Sequence, residues 1–213
     1  DGGDDMLWRR GTDGSSKIVF TNVRGTQESV VNAVPFKRFT AWQVQVADFD
    51  GDGRDDIFWR KGDDGTVKVG ISGANGKQSS STTHFAKFNA WTADLADLNG
   101  DGSDDILWRR AVDGTVKVAI SGEKAVSTTF IEDGVMIVAD SLFLGAQVRV
   151  ENLDPKFSAW TQQLEDFNGD GRADILWHKS ANGEVKLSIS NAEGNEQSMK
   201  MMAAKASGWS LVH

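Results

Sequence analysis

An all-β fold written as four copies of one unit is what this sequence predicts, and three observations predict it. The eight tryptophans form two interleaved series, Trp8, Trp59, Trp108, Trp177 and Trp42, Trp91, Trp160, Trp209, each recurring about every 50 residues. Segments beside them alternate apolar and polar residues, as in Val67, Val69, Ile71 and Val116, Val118, Ile120 and Val185, Leu187, Ile189, the period-two pattern of strands. Asp-Gly or Asn-Gly stands at one fixed place in every unit, at Asp13-Gly14, Asp64-Gly65, Asp113-Gly114 and Asn182-Gly183, the dipeptides that turn a hairpin. Units this small cannot bury a core alone. Four small antiparallel sheets sharing one predict a four-bladed β-propeller of four-stranded blades.

Within a unit the elements follow in order. A basic, aromatic, small run leads into the second-series Trp, as in Arg38-Phe39-Thr40-Ala41-Trp42 and Lys87-Phe88-Asn89-Ala90-Trp91, and a short strand follows. An acidic loop comes next, then an apolar strand ending in the first-series Trp and a base, over 57–60, 106–109 and 175–178. The hairpin dipeptide turns this strand into the alternating one, and a more polar fourth strand is expected near 77–85 and its counterparts. The ends of the chain are in phase: Asp1 takes the place of Asp52, Asp101 and Asp170, and His213 stops just short of the next loop. We therefore expect 1–213 to be one domain, its ring closed by pairing of the N- and C-terminal strands. The competing reading is part of a larger ring.

The acidic loops are 48–56, 97–105 and 166–174. Their first, third, fifth and ninth positions are Asp48, Asp50, Asp52, Asp56; Asp97, Asn99, Asp101, Asp105; and Asp166, Asn168, Asp170, Asp174. These are the hard oxygen donors that Ca²⁺ takes, gathered on one turn with glycine at the sixth position. The seventh residues, Arg54, Ser103 and Arg172, would add a backbone carbonyl. A tryptophan stands where a helix–loop–helix calcium site carries its bidentate Glu, so this loop joins two strands instead. A single such loop could be an Asx-turn; three in register favour metal. A fourth loop, split between the termini, keeps Asp1 and Asp5 but lacks the first donors, and its site is expected to be weak or empty.

On these loops and the Ile-Leu-Trp strand after them, the chain resembles the FG-GAP and VCBS repeat family, the Ca²⁺-loop blades of integrin-like β-propellers. The Phe-Gly and Gly-Ala-Pro elements of the first name are missing, which makes the chain VCBS-like. The resemblance implies Ca²⁺ in a hairpin loop of each blade, an extracellular setting, and binding or adhesion rather than catalysis. Similar propeller lectins of fungi imply that such blades can bind sugars.

Composition narrows the function. A net charge of -8 argues against nucleic acid, and four divalent ions would neutralise it. Cysteine is absent, which removes disulfides and thiolate ligands, and no apolar run is long enough to span a membrane as a helix. The histidines are scattered and no nucleophile motif appears. A basic series follows the strand Trp at Arg9, Arg60, Arg109 and His178, and another recurs at Lys17, Lys68, Lys117 and Lys186. A three-residue turn would set Arg109 opposite Lys117, a pair that needs a carboxylate such as Asp55 or Asp104, or a ligand anion, between them. Trp42, Trp91, Trp160 and Trp209 are either wedges between blades or, with Arg60, Arg109, Lys68 and Lys117, faces offered to a sugar. The third interval carries about 20 surplus residues, within 124–150, including Val135-Met136-Ile137-Val138 and Leu142-Phe143-Leu144. They form either an extra hairpin or an oligomer contact. The sequence thus points to a secreted, calcium-binding, lectin-like propeller that binds a glycan or glycoprotein. The alternative is a non-catalytic protein-binding, adhesion or structural module using the insertion, with a homo-oligomer as one outcome.

Overall fold

The computed structural model describes residues 6–13, 15–21, 24, 27–33, 42–62, 64–73, 78–83, 90–121, 128–132, 135–139, 147–149, 159–192 and 196–203. All regular structure among these residues is antiparallel β, apart from a 3₁₀ turn at Ala159. No helix among these residues is long and apolar enough to cross a membrane.

The repeating unit is a four-stranded sheet in chain order. In one copy β4 (Trp42–Ala47), β5 (Asp56–Lys61), β6 (Val67–Ser72) and β7 (Gln78–Thr83) lie side by side. A second copy is β14 (Thr161–Glu165), β15 (Asp174–Lys179), β16 (Glu184–Ser190) and β17 (Glu196–Ala203). The acidic loop joins the first strand to the second, and the Asp-Gly turn joins the second to the third.

The remaining copies depart from that plan in instructive ways. In the third, β8 (Trp91–Ala96), β9 (Asp105–Arg110) and β10 (Val116–Ile120) are followed by a separate hairpin, β11 (Thr128–Glu132) with β12 (Val135–Ala139). Only then does β13 (Gln147–Arg149) return to pair with β10 as the fourth strand. The surplus residues are therefore an extra hairpin inserted between third and fourth strands; their side chains lie outside the described residues. The first sheet has three strands, β1 (Met6–Arg9), β2 (Ser16–Thr21) and β3 (Gln27–Ala33). By the position of Trp8, β1 corresponds to β5, β9 and β15. Among the described residues this sheet has no counterpart of the strand that opens the other units; the residues expected to supply it, Trp209 to His213, lie outside the described residues.

The chain divides into two compact units, one of residues 1–48 and 52–89, the other of 49–51 and 90–213. In the first, Ile18, Trp42, Ile57 and Trp59 form a buried cluster against which Leu7 and Val44 pack. In the second, Leu98, Leu107, Val116, Val118 and Ile120 of one sheet meet Trp160, Ile175 and Trp177 of the next. Each cluster draws on two sheets, which is what units too small for a core of their own require. Trp59, Trp108 and Trp177 are 0–1% exposed, whereas Trp8 is 62% exposed.

Candidate metal centres

Each acidic loop is held by its own carboxylates before any ion is considered. The first-position Asp turns inward and accepts backbone N–H groups. Asp48 takes Gly53 at 2.7 Å and Asp52 at 3.2 Å, Asp97 takes Gly100 at 2.6 Å and Gly102 at 2.9 Å, and Asp166 takes Gly169 at 2.7 Å and Gly171 at 2.9 Å. Such a cradle favours the charged form; these bonds, the one from Gly171 foremost, hold the Asp166 carboxyl below the usual carboxylate range. The third-position amides of Asn99 and Asn168 accept from the fifth residue at 3.0 and 2.8 Å. In turn the fifth-position carboxylates accept from the seventh residue, at 3.0 Å for Asp52, 2.8 Å for Asp101 and 3.0 Å for Asp170. Glycines at the fourth and sixth positions adopt positive φ throughout, between 71° and 88°, as so sharp a turn needs.

The ninth-position Asp is buried in all three loops. It bridges the loop to the end of the third strand: Asp56 accepts from Ser72 N at 2.7 Å, Asp105 from Ser121 N at 2.7 Å, and Asp174 from Ser190 N at 3.0 Å. Its second oxygen takes the N–H of the second loop residue, Leu98 at 2.9 Å for Asp105 and Phe167 at 3.1 Å for Asp174. Burial pushes the Asp105 carboxyl up to about 8, against the pull of the two N–H donors and with added repulsion from Asp101 and Asp97. Ionising a buried carboxyl beside other carboxylates leaves an unbalanced negative charge, which a cation would balance.

The donor set fits a hard cation. One ligand oxygen each from Asp48, Asp50 and Asp56 lie within 4.8 Å of one another, and the side chains at the first, third, fifth and ninth positions of all three loops offer carboxylate or amide oxygens, the chemistry Ca²⁺ prefers. The residues that would hold it are the first, third, fifth and ninth of each loop. The split fourth loop lies outside the described residues.

Sequence reasoning saw the seventh residue as a carbonyl donor and missed its side chain. The guanidinium of Arg54 pairs with Asp52, and that of Arg172 with Asp170. Consecutive loops also touch. A Cβ built on Gly51 would stand 2.9 Å from Ser103 Oγ, and one on Gly100 would stand 2.8 Å from Arg172 Cγ. Ala173 N donates to the Asp97 carbonyl at 2.7 Å. The recurrence of glycine at the fourth position was visible in the sequence. That it makes room for the next loop was not.

The hairpin register corrects one expectation. Arg109 stands opposite Val116, and Lys117 opposite Trp108; Arg60 and Lys68 likewise face Val67 and Trp59. The turn is one residue longer than a three-residue loop: Arg110 N bonds Thr115 O and Gly114 N bonds Arg110 O, both at 2.8 Å, with Gly114 at φ 75°. An added residue moves every pair by one. Arg109 and Lys117 are therefore not a facing pair, and the anion inferred between them has no geometric basis. Arg109 instead donates to the Trp160 carbonyl, and Arg60 to Gln43 Oε1 at 3.0 Å.

The lysines reach the second-series tryptophans. Lys68 lies 5.5 Å from the Trp42 ring, Lys117 5.0 Å from Trp91 and Lys186 5.0 Å from Trp160, within cation–π range. These rings are 7%, 4% and 5% exposed, so they are packed between strands and capped by a cation. Little ring is left to stack on a sugar. Trp209 lies outside the described residues.

The model of the FG-GAP-like repeat matches residues 1–59 and 48–108. No curated protein sequence matches. Among solved structures, a lectin of Agrocybe aegerita, described as specifically recognising non-reducing terminal N-acetylglucosamine, aligns with TM-score 0.63 and 18% identity. The alignment covers 97% of this chain and 54% of the lectin, so the chain spans about half that protein's length. At this identity the likeness concerns the fold.

Proposed function

The chain belongs to the FG-GAP-like repeat family, and from that premise we propose that it is a secreted, calcium-binding β-propeller module that recognises carbohydrate rather than catalysing a reaction. Calcium occupies the loops 48–56, 97–105 and 166–174, where it supplies the positive charge that ties four oxygen side chains to one turn. The observation that carries the calcium reading is the threefold recurrence of inward-facing carboxylates around a buried ninth-position Asp. Open loops of this kind suit the roughly millimolar affinity of extracellular calcium modules.

The four sheets are blades of one ring, the missing strand of the first sheet being supplied by the segment around Trp209. Among the described residues β1 is an edge strand and Trp8 is exposed, which supports this closure, as does the register that sets Lys17 opposite Trp8 just as Lys68 stands opposite Trp59.

Support for the sugar comes from the lectin fold that nearly the whole chain shares. A glycan array probed with the intact chain tests it. Glycans ending in N-acetylglucosamine should be retained with calcium and lost with chelator; an array blank in both conditions ends the carbohydrate reading. The hairpin β11–β12, foreign to the repeat, favours a second reading as a protein contact. A blank array together with dimerisation that disappears when 124–146 is deleted would establish that reading instead.

A further inference from the structure

We propose that the arginine at the seventh loop position is a built-in counter-ion that competes with a divalent cation for the fifth-position carboxylate, so that the three loops bind cation with graded strength. The inference rests on the calcium reading above.

Two loops provide a natural comparison. Loops 97–105 and 166–174 carry the same donors in the same order, Asp, Asn, Asp and Asp at the first, third, fifth and ninth positions. They differ at the seventh. In both loops the fifth-position Oδ2 accepts an amide bond from the third-position Asn at 3.0 Å; in 166–174 the Arg172 guanidinium pairs with that same Asp170 Oδ2 as well, whereas in 97–105 the seventh residue is the uncharged Ser103. A carboxylate already holding a guanidinium offers less field to an incoming ion, because the cation must displace or share the first partner. Loop 48–56 lies between the two, with a fourth carboxylate in Asp50 and a guanidinium, Arg54, on Asp52. Loop 166–174 is accordingly the weakest site.

Arg172 is also fixed at its stem. Its Cγ and Cδ would lie 2.8 and 3.5 Å from a Cβ on Gly100 of the preceding loop. The guanidinium is thus delivered to Asp170 by a side chain whose stem lies against the preceding loop, and one of the three carboxylates of the loop keeps a cationic partner while no metal is present. Gly51 stands to Ser103 as Gly100 stands to Arg172, so the repeat leaves room for an arginine at 103.

The test is calorimetric titration of the chelator-stripped full chain with CaCl₂, for the wild type, Arg172→Ser and Ser103→Arg. Arg172→Ser should tighten the weakest site roughly threefold to tenfold without changing the number of sites, and Ser103→Arg should weaken one site by a similar factor. Without calcium, Arg172→Ser should melt lower than the wild type, yet gain more on calcium addition. A wild type that binds calcium beside variants with unmoved or oppositely moved constants overturns the counter-ion role alone. A wild type that takes up no calcium overturns the calcium reading and this inference with it.

Discussion

At the scale of single residues the loops are governed by charge and by backbone freedom. Asp105 shows the first. Its folded carboxyl lies near 8, above the roughly 3.9 of an unfolded chain, so the folded state binds the proton more tightly. In cation-free protein its contribution is complete below about pH 4 and is lost as the pH rises toward 8. Urea denaturation of stripped protein should therefore show stability falling from pH 5 to pH 8, and Asp105→Asn should flatten that fall; a parallel decline in the variant would contradict the assignment. Calcium should abolish the slope in the wild type. Gly100 shows the second. A Cβ there faces both φ 79° and the Arg172 stem at 2.8 Å, whereas one on Gly102 faces φ 88° with nothing within 4 Å. Left-handed backbone costs an L-residue about 1–2 kcal/mol. Gly102→Ala should cost about that much in denaturation experiments and Gly100→Ala measurably more; equal losses would mean the two loops do not touch in solution.

At the scale of elements, strands and loops were legible because each has a short-range cause. Alternation marked β6, β10 and β16, and Asp-Gly marked the turns; Asp64 and Asp113 accept from Thr66 N and Thr115 N at 2.9 and 3.0 Å, the Asx contact these residues make in turns. Turn length was not legible, since Gly in αL serves loops of more than one length, and that residue decided whether Arg109 met Lys117 or Val116. Loop donors could be read from spacing, but the Arg172–Gly100 approach joins residues from two repeats and has no local signal. The tryptophans were legible as a phase and ambiguous as to burial, which is fixed by the neighbouring sheet. Trp177 is fully buried and donates to Ser188 Oγ at 3.1 Å. Trp177→Ala should cost about 3–5 kcal/mol in equilibrium unfolding, the usual loss for a large core ring. A loss under 1 kcal/mol would contradict the shared core.

At the scale of the molecule, family and sheet composition are established and closure is the proposal. Trp8 is exposed where Trp59, Trp108 and Trp177 are buried, and Phe167 is exposed where Phe49 and Leu98 are buried. Both belong to the units that would flank the closing seam. Deleting 205–213 should lower the melting temperature and raise hydrogen exchange along β1; unchanged exchange there would leave the ring open. The most direct test of the whole account is the melting temperature of stripped protein with and without calcium, with bound metal counted on the same sample. Each site filled to about 100 times its dissociation constant adds roughly 2.7 kcal/mol, so three should raise the midpoint on the order of 15 °C or more. Three calcium ions per chain and a rise of that order are predicted. An unchanged midpoint with no bound calcium would contradict the account.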